Sequence, residues 1–144
     1  MTEQRDNTLG TARLIATVLY VAPLVAFPWI GRLVKVGASL DPKVLPVLAA
    51  ALLVVGIVDY GASLFLEAKL LGQARDARAP QSVVTAAVVT AAFGASLAVY
   101  GLVLTLLGAR TWGSVLYVLC AVHGLHLIVR WPNYTQAAEQ SDSV

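Results

Sequence analysis

The chain has 144 residues, of which 58% are hydrophobic and only 12% charged, with a formal net charge of +2 and a mean hydropathy of +0.77. Soluble domains are about a quarter charged, so an ordinary water-facing surface is excluded and an integral membrane protein is expected. The few positive charges are scattered, without the basic stripe of a nucleic-acid interface, and the lone Cys120 excludes an intrachain disulfide or a multi-cysteine zinc or iron-sulfur site.

The first predicted span covers residues 14–30, behind a 13-residue head of mixed charge, MTEQRDNTLGTAR. A signal peptide would end in small residues at a cleavage site. Here Pro23, Pro28, Trp29 and Arg32 follow instead, so the span is expected to be retained. The two prolines remove backbone donors, which predicts a kink or an early helix end near Pro28.

The second span, 44–66, is interrupted by one charge, Asp59. Three residues after Gly56 and four before Ser63, Asp59 shares a face with small residues and is expected to point into the bundle. Ionisable groups inside a membrane are costly and are by default functional candidates. Counting from Leu66 puts Asp59 roughly 10 Å deep. The stretch 67–82, EAKLLGQARDARAPQS, is expected to be a cytoplasmic loop too short for a domain of its own.

The third span, 83–107, carries small residues at steps of three and four: Ala87, Ala91, Gly94, Ala98, Gly101, Thr105 and Gly108. Lipid is as apolar as leucine, so helices in a bilayer associate through close backbone approach and polar contacts, and such a stripe is a packing face. It serves either the bundle itself or another subunit.

The fourth span, 112–129, contains CAVHGLHLIVRWPNY, in which His123, His126 and Arg130 fall on one face. The imidazoles lie roughly 6 to 10 Å inside the boundary, close to the depth counted for Asp59. A contact from Asp59 to His123 or His126 is therefore expected. The cluster Asp59, His123 and His126 has three readings: an interhelical clamp with Arg130 reaching the headgroups, a proton or ion site, or a redox cofactor site. Two histidines three apart on one helix approach from the same side and cannot both be axial to one haem; no metal or cofactor is expected. The tail QAAEQSDSV is expected to be short, polar and mobile.

All spans are 17 to 25 residues, or roughly 26 to 38 Å as helix, against a hydrocarbon core of about 30 Å. With the N-terminus inside, six basic residues (Arg5, Arg13, Lys69, Arg75, Arg78, Arg130) lie inside and four (Arg32, Lys35, Lys43, Arg110) outside. That bias places both termini in the cytoplasm. The expectation is one all-α domain over residues 1–144, a membrane four-helix bundle.

The loop ARDARAPQ followed by AAFGASLAVYGLVLTLLG resembles the polar loop and second helix of the rotor-ring c subunits of ATP synthases, through Ser96, Leu97, Ala98, Val99, Tyr100, Gly101, Leu102 and Val103. The whole chain is similar to small four-helix bacterial membrane proteins grouped with those subunits. The resemblance implies a bacterial inner-membrane location and a hairpin of the second and third helices. It also implies an ion-binding carboxylate just before the matching run, where this chain has Ala95. Alanine carries no proton. Nucleophile elbows, phosphate loops and paired catalytic carboxylates are missing from the sequence, so a non-enzyme is expected. The leading expectation is a scaffold or accessory subunit in the lipid bilayer that packs through its glycine/alanine stripe, as a homo-oligomer or with other membrane-complex subunits and without nucleic acid. The alternatives are a proton- or ion-handling subunit using Asp59 with the histidines, and a haem- or quinone-binding accessory protein.

Overall fold

The computed structural model describes residues 2–34, 41, 43–76 and 80–142. They form four helices, α1 (Thr2–Leu33), α2 (Val44–Asp76), α3 (Pro80–Leu106) and α4 (Arg110–Asp142), each long and apolar enough to cross a membrane.

Three of these helices outrun the expected spans. EAKLLGQARD is made largely of strong helix formers, so α2 continues to Asp76, and most of the loop expected at 67–82 is helix. Pro80 opens α3, where a missing N–H costs nothing. Helix α1 passes through Pro23 and Pro28 to Leu33, so no early end occurs there. Helix α4 likewise passes Pro132 and takes up most of the tail expected to be mobile; Tyr134, Ala137 and Ala138 are buried by the rest of the bundle.

Side-chain pairings set the topology. Arg13 lies over Trp131, Tyr20 meets His123, and Gly31 packs on Thr105, so α1 runs parallel to α3 and antiparallel to α4. Asp59 reaches Ser96 and Tyr100 while Ser63 and Glu67 meet α4, so α2 runs parallel to α4. Helices α3 and α4 form the central pair. Helix α2 packs on both and α1 mainly on α3, whereas among the described residues the backbones of α1 and α2 do not come together. The α1/α4 seam is the thinnest that exists, which leaves a cleft.

The small-residue stripe explains why α3 is central. Ala87, Ala91, Gly94, Ala98 and Gly101 are buried, and their neighbours belong to the same chain. Gly94 receives the ring of Tyr20 from α1, and Gly101 receives Tyr117 and the backbone of Gly113 from α4. Thr105 fills the space beside Gly31 and Gly113. Gly108 departs from the expected stripe: it follows α3 with φ of 91° and is exposed. The N–H of Gly108 donates to the carbonyl of Thr105 (3.2 Å) and that of Ala109 to Leu104 (2.8 Å), a Schellman cap that requires a residue tolerant of the left-handed region.

A Cβ on Gly113 would meet the backbone carbonyl of Gly101 at 2.7 Å, whereas one on Gly61 meets nothing within 4 Å. Gly113→Ala is expected to destabilise the bundle by about 1 to 3 kcal/mol, and Gly61→Ala to stabilise it by about 0.5 to 1 kcal/mol. Thermal unfolding in detergent checks both; a Gly113→Ala midpoint equal to the parent's would remove the close α3/α4 approach.

Candidate functional site

The site begins with an aromatic side chain placed where two glycines leave room. Tyr20 on α1 enters between Gly94 of α3 and Gly124 of α4; a Cβ at Gly94 would run into its ring, and one at Gly124 would press on it at 3.1 Å. So seated, its hydroxyl reaches the Thr90 carbonyl of α3 at 3.3 Å and Nδ1 of His123 on α4. The other ring nitrogen of His123, Nε2, lies 2.9 Å from the Ser63 hydroxyl of α2. Tyr60 approaches the imidazole edge-on, with ring centroids 4.8 Å apart. His123 is fully buried.

Two proton assignments satisfy this network. If the Tyr20 hydroxyl proton goes to the Thr90 carbonyl, the His123 Nδ1–H donates to the phenol oxygen and Nε2 accepts from Ser63. If the hydroxyl proton goes to Nδ1, then Nε2–H donates to Ser63. Both leave a neutral ring with each nitrogen paired, and they differ only in where the protons sit.

One turn along α2 from Ser63 lies Glu67, which is 0% exposed. Its Oε2 is 3.5 Å from Nε2 of His126, and its Oε1 is 3.4 Å from Nε of Arg130. These are ion-pair distances without hydrogen-bond alignment; among the described residues neither carboxylate oxygen nor His126 Nε2 has a well-aligned hydrogen bond, and the Tyr134 hydroxyl also interacts with Glu67. An ionised carboxylate so enclosed costs several kcal/mol unless a cation neutralises it. Arg130 supplies that charge, with the His126 imidazole beside it, and the partly exposed Arg130 joins Glu67 to the outside.

Asp59 lies one turn from Ser63 in the opposite direction. Its Oδ2 accepts from Ser96 (3.0 Å) and Tyr100 (2.8 Å) of α3. The expected contact between Asp59 and a histidine is thus corrected: among the described residues Asp59 makes no hydrogen bond or ion pair with His123 or His126. The reason is angular. At 100° per residue, four and eight residues turn a helix face by about 40° and 80°, so Asp59 faces α3 while Ser63 and Glu67 face α4.

Asp59 stands level with Ser96 and Tyr100 of α3, and so beside Ala95. Helix α2 thus presents the Asp59 carboxylate to the part of α3 around Ala95.

Glu67 escaped the sequence reading because it falls just beyond the uncharged run, where a glutamate ordinarily marks a span's end. Its spacing of eight from Asp59 was the available signal. Tyr20 and Thr90 gave less warning, since aromatic and threonine residues in apolar helices are ordinary packing. Tyr134 stacks on Trp131, 5.4 Å between centroids, and its hydroxyl points to the Thr90 hydroxyl at 3.5 Å, closing the polar region from the terminal side.

Among the described residues no three of His, Cys, Asp and Glu converge on a point where one metal ion would sit. Cys120 is buried and free, away from the pair formed by Glu67 and His126. Groups able to hold protons follow one another at single helical turns along α2 and α4, with His123 bonded to Ser63 and His126 beside Glu67.

No family model, curated protein or solved structure matches the chain.

Removing the phenol oxygen by Tyr20→Phe leaves a buried imidazole nitrogen unpaired, at an expected cost of about 1 to 3 kcal/mol. In a His123→Leu background the same change is expected to cost much less, since the interaction is already gone. A double-mutant cycle on unfolding free energies measures this; equal costs in both backgrounds would dismiss the Tyr20–His123 bond as a stabilising contact.

Proposed function

We propose that the chain is a multi-pass protein of the bacterial cytoplasmic membrane, with both termini on the cytoplasmic side, that handles protons through the row Glu67, His126, His123, Ser63 and Asp59. The observation that carries this reading is Glu67, a carboxylate with no exposed surface and, among the described residues, no well-aligned hydrogen bond, held between His126 and Arg130 inside apolar helices. A fold in search of stability alone gains little from such a group, because a buried ion pair is often no better than apolar residues of equal volume. Intramembrane ionisable groups mark proton and ion pathways far more often than they mark mere packing.

The spacing fits the task. From Glu67 to Asp59 is about 12 Å along α2, with the His123–Ser63 pair between them. A proton entering beside Arg130 meets the carboxylate of Glu67, then an imidazole whose two tautomers differ by proton position, then a hydroxyl one turn from Asp59. Imidazole is the side chain best suited to exchange protons near neutral pH. Asp59, held by Ser96 and Tyr100, forms the deep end, and its level beside Ala95 supports the likeness of the α2/α3 hairpin to rotor-ring c subunits.

The scaffold reading loses its expected surface, since the stripe on α3 is engaged by α1 and α4 of the same chain. An accessory subunit would have to dock through the outward faces.

In sealed vesicles containing a pH-sensitive dye, the purified protein is expected to dissipate an imposed pH gradient. Glu67→Gln and Asp59→Asn are each expected to lower the rate at least tenfold, while Arg110→Gln, an exposed charge distant from the row, leaves it unchanged. A monodisperse Glu67→Gln protein that conducts like the parent, or a parent that conducts no protons, refutes the proposal.

A further inference from the structure

The thin seam between α1 and α4 holds a cleft of about 270 Å³ that none of the proton-handling groups requires to be open. It runs from Arg13 and Trp131 at the terminal end to Leu24 and Ala121 in the middle of the helices. Eleven residues of α1 separate Arg13 from Leu24, or about 16 Å, which equals half of the roughly 30 Å hydrocarbon core. The cleft is therefore one leaflet long. Its walls are apolar, and Val21, Leu125 and Ile128 face outward at its rim, so it opens sideways towards the surrounding lipid.

The charge at its mouth selects the occupant. Arg130, the neighbouring cation, is already committed to Glu67. Arg13 is exposed, sits with its guanidinium carbon 6.0 Å from the centre of the Trp131 ring, and among the described residues has no carboxylate partner. Trp is the residue that settles at headgroup level, and a guanidinium there binds a phosphate through paired N–H donors. The volume is slightly below the roughly 300 to 1,000 Å³ of sites that enclose whole drug-sized ligands. It suits a single narrow chain lying lengthwise.

We infer that the α1/α4 cleft is a binding site for an anionic phospholipid of the leaflet on the Arg13 side, with one acyl chain along Leu24 and Ile128 and the phosphate on Arg13. The lipid completes the seam that α1 and α4 leave open, and lies directly behind the ring of Tyr20, which forms part of the cleft wall. This site does not depend on the proton-handling reading.

Trp29 and Trp112 lie at the opposite end of the bundle, so their replacement by Phe leaves Trp131 as a local reporter. The protein is reconstituted in phosphatidylcholine vesicles containing increasing fractions of brominated phosphatidylglycerol or brominated phosphatidylcholine. Half-quenching of Trp131 is expected at a roughly fivefold lower fraction of the anionic lipid, the preference that one cation near the surface confers. Arg13→Gln, an exposed change that should not disturb folding, is expected to abolish the preference. Ala121→Phe, which fills the cleft from its outward edge, is expected to weaken quenching by the anionic lipid. Equal quenching by both lipids in the parent, a preference that survives Arg13→Gln, or a tightly held neutral occupant that shields Trp131 from both lipids overturns the inference. Because the readout is fluorescence and not proton flux, the two proposals fail separately.

Discussion

The arrangement of the bundle turns on one buried polar contact, the Tyr20 hydroxyl on His123. A phenol and an imidazole among apolar helices must find partners, since each unpaired polar group in such surroundings costs free energy comparable to a lost hydrogen bond. They find them on all four helices: Tyr20 from α1, Ser63 from α2, the Thr90 carbonyl from α3 and His123 from α4. The contact is possible only because Gly94 and Gly124 leave room for the tyrosine ring. Close backbone approach and polar pairing are usually separate means of holding helices together in lipid. Here the first creates the space in which the second occurs.

Rotation along α2 distributes the remaining polar groups. Asp59, Ser63 and Glu67 are spaced by fours, so each successive group turns by about 40° and moves by about 6 Å. The same helix thereby presents a carboxylate to α3 at one level, a hydroxyl to His123 at the next and a carboxylate to His126 and Arg130 at the third. Straight alignment of these residues would have crowded two carboxylates on one neighbour. The twist gives each its own partners and leaves His123 between them.

The stripe on α3 has a similar double role. Its small residues permit Tyr20, Tyr117 and Gly113 to come close, and this pulls α1 and α4 onto α3. Since α3 takes up most of the inner face of α1, little of α1 is left for α4, and the lateral cleft between them follows from the same packing.

Four helices long enough to cross a bilayer were legible in composition and hydropathy, because removing charge from four long stretches leaves no other environment for them. The small-residue stripe was legible as a packing face from spacing, but spacing left open whether its neighbours belong to this chain or another. Helix ends were not: a drop in hydropathy marks where apolar side chains stop, whereas helix propensity carries α2 on to Asp76 and α4 on to Asp142. That difference hid Glu67. The sequence by itself determined that ionisable residues stand inside apolar helices, since that depends on order along the chain. Which of them meet was decided only by the tertiary structure, because a rotation of about 80° between Asp59 and Glu67 sends one to α3 and the other to α4, and the angle acquires meaning only when the neighbours are in place.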